Sequence, residues 1–189
     1  EDFEFPKIAV LISGSGSNLQ SIIDDGIPVS LVMSDRPDVF GLERAKKLNI
    51  KTVVINKSQY KSKREELTRK IVEELKSNAI ELIVLAGFMT ILSKDIFDAY
   101  PNRILNIHPS LLPSFKGAHA VQNAIDEGVR VSGCTVHVVT EFVDDGPILA
   151  QSTVPVLEDD DEDSLHERIQ KEEHRLYPQT IRQFCNLNY

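Results

Sequence analysis

Hydrophobic positions along the chain follow two alternating rhythms. Short apolar runs recur at residues 7–12 (KIAVLI), 29–34 (VSLVMS), 51–55 (KTVVI), 81–87 (ELIVLAG) and 103–107 (RILNI). Between them lie segments with helical spacing, at about 17–25, 41–49 and 62–77. In the last of these Leu67, Ile71 and Leu75 share one face. Apolar strands alternating with helices predict a parallel sheet covered on both sides. The rhythm changes after about residue 129. Residues 132–156 carry two β-rich stretches around a DDGP turn, which reads as an antiparallel extension. Residues 164–185 then predict a long helix. The acidic run EDDDED before it reads as a solvated flank favoured by the helix dipole.

The expected fold is therefore α/β: a Rossmann-like doubly wound, mostly parallel sheet with an antiparallel C-terminal strand extension and a long C-terminal helix. No repeat, linker or low-complexity segment interrupts it, so one domain over residues 1–189 is expected. Residues 1–6 lack an initial Met and are expected to be disordered or to come from outside the native chain.

Composition narrows the function classes. Apolar residues make up 41% and charged residues 26%, the profile of a globular protein in water. A net charge of −8 argues against a nucleic-acid partner, which would need clustered Lys and Arg. The longest apolar stretch, IVLAGFMTIL, is too short to span a bilayer, and no signal peptide is visible. Two cysteines, Cys134 and Cys185, make no disulfide framework, so a reducing, cytoplasmic setting is expected. No H-E-x-x-H or C-x-x-C pattern points to a metal.

The stretch ISGSGSNLQSII joins the first strand to the first helix. Unpaired N–H groups and a positive helix end favour an anion there. Three readings stay open on these residues alone. A dinucleotide site would use Gly14 and Gly16, with Asp35 on the ribose, but Leu19 stands where a third glycine belongs. A cradle for one phosphate ester would use Gly14, Ser15, Gly16, Ser17 and Asn18. A plain tight turn would use Ser17 as helix N-cap.

A second constellation follows the fifth strand. Asn106 and His108 are two apart and point the same way along it, at the carboxyl end where open α/β sheets bind ligands. The prolines after them stiffen the exit loop, and Leu112-Pro113 is a candidate cis bond. Asp144 in the VDDGP turn would orient His108 and favour its charged form, although Asp145 serves as well on turn chemistry. His137 reads as a supporting residue on the neighbouring strand. Ser110 follows Pro in a loop without a nucleophile-elbow pattern, so acid–base and oxyanion chemistry is favoured over covalent catalysis.

With SGSGSNLQ, LAGFMTILS, NIHPSLLPSFKGAHA and DDGPILAQ in this order, the chain resembles the glycinamide ribonucleotide transformylases, the purine branch of the folate-dependent formyltransferases. The resemblance runs from about Lys7 to Phe184. It implies formyl transfer from 10-formyltetrahydrofolate to the amine of glycinamide ribonucleotide, directly and through a tetrahedral intermediate. It also implies the catalytic set Asn106, His108 and Asp144, and a substrate phosphate on Gly14 to Asn18. The ribose and glycinamide part would meet Gln170, Lys171, Glu172 and Glu173. The folate would meet Met89, Thr90, Ile91 and Leu92 and the loop residues Glu141, Phe142 and Val143, with Arg64 on its tail. By helix register Glu172 falls nearest the Leu165–Ile169–Leu176 face and Glu173 on its border; the motif match alone selects Glu173. Asp145 stands where the family often has a small residue. No metal is implied, and the expected partners are small-molecule substrates of a monomer or homodimer, without nucleic acid or membrane. Three alternatives are a formyltetrahydrofolate hydrolase, an NAD-dependent oxidoreductase on Gly14, Gly16 and Asp35, and a non-catalytic nucleotide sensor.

Overall fold

Buried apolar runs that must hydrogen-bond their backbones to one another form a sheet, and here seven strands do so. The computed structural model describes residues 3–189. Its strands are β1 (Ile8–Ile12), β2 (Leu31–Ser34), β3 (Lys51–Val54), β4 (Leu82–Leu85), β5 (Ile104–His108), β6 (Val131–Val138) and β7 (Ile148–Pro155). Their order is β3-β2-β1-β4-β5-β6-β7. The first five are parallel; β6 pairs antiparallel with β5, and β7 antiparallel with β6. This is the doubly wound sheet with the antiparallel extension that the hydrophobic rhythm predicts. β1, β2 and β4 are buried throughout, as strands covered on both faces must be. β3 departs from that expectation: as an edge strand it is exposed or half-buried along its length.

Helices α1 (Ser17–Asp24), α2 (Phe40–Lys47), α3 (Arg64–Ser77), α4 (Lys94–Ala99), α5 (Ala120–Glu127) and α6 (Glu162–Asn188) cover the sheet, and a 3-10 turn occupies Lys57–Tyr60. Alternate residues of β1 face opposite sides. Ile8, Val10 and Ile12 pack in a core with α1, α2, α5 and α6; Ala9 and Leu11 pack in another with α3 and α4. The sequence reading contains neither α4, whose six residues make too few turns for periodicity to show, nor α5. Residues 1–6 were expected to be disordered. Residues 1 and 2 lie outside the described residues, but Phe3 and Phe5 stack at 4.6 Å and pack on the core, and Pro6 is buried. Two aromatic side chains gain more by covering apolar surface than they lose in chain entropy.

The acidic run is only partly a solvated flank. Asp161 caps α6, accepting the Ser164 N–H at 2.8 Å in a reciprocal capping box. Asp160 is clasped by Arg168 through two bonds of 2.8 and 3.0 Å, which hold its carboxyl well below the usual carboxylate range. Near the middle of α6, Tyr177 is fully buried. Its hydroxyl donates to the Leu85 carbonyl at 2.7 Å and lies 3.2 Å from that of Leu105, so one proton ties α6 to the ends of β4 and β5. Tyr177→Phe is expected to lower stability by about 1–2 kcal/mol, with the denaturant slope unchanged, in urea unfolding.

Candidate active site

The strand order reverses between β1 and β4, so the loops after them diverge and leave a crevice at the carboxyl edge of the sheet. A cleft of about 620 Å³ occupies it, a size suited to small molecules. The turn Gly14–Asn18 forms one end. Gly16, not Ser17, is the N-cap of α1, with φ +73°, and no side chain caps the helix. The first helical bond runs from Gln20 N–H to Gly16 O, leaving the earlier amides without intrahelical acceptors. Behind the turn, α2 presses close: a Cβ on Gly16 would stand 2.7 Å from the Gly41 Cα, and the Gly41 N–H donates to Gly14 O at 3.0 Å. Arg44, stacked 4.6 Å from the Phe40 ring, donates its Nε–H to Ser15 O at 2.8 Å. A cation and a helix N-terminus thus flank a turn that contains no basic residue.

The dinucleotide reading needs a free Asp35, and the structure removes it. Asp35 is 1% exposed and accepts hydroxyl protons from Ser13 at 2.7 Å and Thr90 at 2.5 Å. A carboxylate so engaged has no acceptor facing a ribose.

β5 delivers Asn106 and His108 to the middle of the cleft, and the 139–147 loop brings Asp144 beside them. The two acids of the DDG turn part company. Asp144, at φ +53°, turns inward: its Oδ2 accepts the Gly117 N–H at 2.7 Å and its Oδ1 lies 3.6 Å from His108 Nδ1. Asp145 turns outward to Lys116 at 2.7 Å, which holds its carboxyl below its ordinary value. His108 donates Nε2–H to the Phe115 carbonyl at 2.8 Å, leaving Nδ1 towards the acid. His137, opposite Asn106 across β5 and β6, lies 3.4 Å from the Asn106 amide nitrogen. Burial pushes the His137 imidazole below its usual range, so it stays neutral and can accept from that amide. The Leu112-Pro113 peptide is cis, as the sequence suggested. Ser110 is wholly buried and donates to Ser114 O, unsuited to nucleophilic attack. Burial pushes the Cys134 and Cys185 thiols up to about 12 and 11. Among the described residues no group of three or more His, Cys, Asp or Glu is placed to hold a metal.

From α6, Gln170 and Glu173 reach the cleft; Lys171 and Glu172 do not. Register leaves both acids open and the motif selects Glu173; the structure separates them, because the Glu172 carboxylate accepts from Ser152 Oγ–H of β7 at 2.6 Å and pairs with Arg175 of α6 at 2.9 Å. Glu173 is buried instead, and burial pushes its carboxyl up to about 7, with the Asn18 amide pulling the other way. His166 also lines the cleft and is absent from the sequence reading. Its spacing of four and seven from Gln170 and Glu173 was the available signal.

The expected folate residues divide. Met89, Ile91 and Val143 line the cleft. The Thr90 hydroxyl turns to Asp35, and Leu92 is buried in the core with α3 and α4. Glu141 and Phe142 face solvent, in a loop whose polar bonds are local. Arg64 lines a separate hollow at the start of α3 with Lys63 and Arg69. It stands one turn before Thr68, whose hydroxyl accepts the Ser93 N–H just beyond Leu92.

Comparison with known proteins bears on what such a cleft does. Residues 6–181 match a family model described as formyl transferase. The chain is 44% identical over 187 residues to the phosphoribosylglycinamide formyltransferase of Escherichia coli strain K12, covering 95% of this chain and 87% of that protein. It is 45% identical over 188 residues to the trifunctional purine biosynthetic protein adenosine-3 of Drosophila melanogaster. That match covers 95% of this chain but 14% of the longer relative. The solved structure of glycinamide ribonucleotide transformylase 1 from Symbiobacterium toebii superposes with a TM-score of 0.93 at 44% identity, covering 98% of this chain and 92% of that one.

Glu173 makes stability depend on pH. At and below about pH 4.5 the carboxyl is protonated in both states and its favourable contribution is fully present. As pH rises towards about 7 the unfolded chain releases the proton and the folded one holds it, so stability falls. Between pH 5 and pH 8 the wild type is expected to lose roughly 2–3 kcal/mol in urea unfolding relative to Glu173→Gln, the histidines contributing alike to both.

Proposed function

The chain belongs to the formyl transferase family, and we propose that it transfers the formyl group of 10-formyltetrahydrofolate to the amine of glycinamide ribonucleotide in purine biosynthesis. The observation that carries this reading is one cleft joining an anion-binding turn to Asn106, His108 and Asp144. Relatives named for this activity at 44% identity over nearly the whole chain support it. The single phosphate of the nucleotide sits on the Gly14–Asn18 amides, with the ribose towards Gln170 and Glu173. The folate lies along Met89, Ile91 and Val143.

Holding both substrates in one cleft supplies much of the rate. The amine attacks the formyl carbon, charge builds on the formyl oxygen, and Asn106 donates an amide N–H to it. The other amide hydrogen faces His137, which keeps the group from turning over. His108, its Nε2 held by Phe115 O, works through Nδ1 beside Asp144: it stabilises the oxygen and supplies a proton as the carbon–nitrogen bond to the folate breaks. The proton displaced from the attacking amine restores the balance. A His108–Asp144 separation of 3.6 Å is longer than a formed hydrogen bond, and catalytic contacts of this kind shorten when ligands bind. The protein acts on small molecules as a monomer or homodimer, apart from nucleic acid and membrane. A cytoplasmic location is part of the reading. Among the described residues no helix is long and apolar enough to cross a membrane.

Purified protein mixed with 10-formyltetrahydrofolate tests the reading. Release of deformylated folate is expected to require glycinamide ribonucleotide; release without the amine would make the chain a hydrolase instead. His108→Ala and Asp144→Asn are each expected to lose roughly 100- to 1000-fold in kcat while still binding both ligands by calorimetry. Near-wild-type turnover by either variant would remove that residue from the mechanism.

A further inference from the structure

Asp35 follows β2 directly, behind the cleft, and the catalytic chemistry does not use it. It is nonetheless buried to 1% exposure, and both its oxygens are engaged by side chains from different loops. Oδ1 accepts from Ser13 Oγ–H at 2.7 Å, and Oδ2 accepts from Thr90 Oγ1–H at 2.5 Å. A hydroxyl carries one proton, and both hydroxyls direct theirs at Asp35. Ser13 Oγ therefore has only lone pairs left, and these accept the Met89 backbone N–H at 2.8 Å. Ser13 also donates its own N–H to Gly87 O at 3.2 Å. Ser13 immediately precedes Gly14, so the chain Met89–Ser13–Asp35–Thr90 ties the start of the anion-binding turn to the 89–92 segment. That segment leaves the sheet with Met89 and Ile91 63% and 57% exposed. Apart from this bracket, its far end is pinned by the Ser93 N–H on Thr68.

We propose that Asp35 is a positioning residue: its carboxylate, acting through Ser13 and Thr90, sets the backbone of residues 89–92 against the Gly14–Asn18 turn and so fixes where the folate lies relative to the amine. This rests on the reading above that Met89 and Ile91 face the folate. The role depends on Asp35 being an acceptor at both oxygens. An amide in its place keeps one acceptor and adds a donor. Whichever hydroxyl meets that donor must turn its proton away, and for Ser13 this sets O–H against the Met89 N–H.

Two measurements test the role. In steady-state assays with 10-formyltetrahydrofolate and glycinamide ribonucleotide, Asp35→Asn and Thr90→Val are each expected to raise the folate KM about tenfold, the worth of one hydrogen bond to a charged group. The nucleotide KM should move by less than about twofold, and the double variant should lose less than the two single effects summed, because both interrupt the same Ser13–Asp35–Thr90 chain. Thr90→Ser should restore the wild-type value. An unchanged folate KM in an active enzyme overturns the proposal, and so does an equal rise in both KM values, which would mark general loosening. Amide hydrogen exchange on the ligand-free protein gives the second readout, independent of the proposed activity. Exchange at the Met89 amide should accelerate at least about tenfold in Asp35→Asn and in Ser13→Ala. If the wild type transfers no formyl group, the functional reading fails by itself, and unchanged Met89 exchange would then overturn the bracket as well.

Discussion

Parallel strands can pair only if the chain crosses back over the sheet between them, and the side on which it crosses decides where a site can exist. In this protein the crossings reverse between β1 and β4. The loops leaving those two strands part at the carboxyl edge instead of packing together. The other parts of the site meet in that gap. The glycine turn comes from β1, the 86–92 segment from β4, and Asn106 and His108 from β5 beside it. The antiparallel extension serves the same gap: β6 presents His137 beside Asn106, and the loop between β6 and β7 folds Asp144 over the end of β5.

The protein is strongly acidic, yet one end of its cleft is lined by a turn whose backbone amides suit an anion. Net charge does not decide the matter, because the attraction is local and comes from backbone. Amides at the start of α1 point into the cleft, and Arg44 adds a cation on the outer side of the turn. Acidic groups stand elsewhere in the same cavity under separate control. The Gly117 N–H holds Asp144, and burial of Glu173 raises its carboxyl into the neutral range. Donors at one end and acids along the walls give the cavity a polarity that fits a phosphorylated amine lying in one direction.

Much of this was legible in the sequence, for reasons that differ by element. Strands covered on both faces must be apolar throughout, so β1, β2 and β4 showed directly. Asn106 and His108 were legible because a two-residue spacing on a strand leaves no choice of face. Asp144 was not separable from Asp145 by turn chemistry. Gly117 and Lys116 distinguish them, and those residues lie 27 and 29 positions away. Register could not separate Glu172 from Glu173 for a similar reason: Ser152 on β7 draws one carboxylate outward, and a helical wheel contains no neighbouring strand. Asp35 carried only the dinucleotide alternative that Leu19 weakened. Its position suited a ribose, but its partners Ser13 and Thr90 come from the loops after β1 and β4 and meet only when the sheet forms.

The last helix fastens to the centre of the sheet through one phenol. Tyr177 reaches the carbonyls of Leu85 and Leu105, the strands on which the cleft is built, while Glu173, one turn earlier, closes its wall. Synthesis on the ribosome therefore delivers the reactive residues, through Asp144, before the helix that encloses them. A nascent chain that has emerged as far as β7 has Asn106, His108 and Asp144 but lacks the wall that Gln170 and Glu173 supply. The order of the chain therefore makes α6 the last part of the cleft to be added.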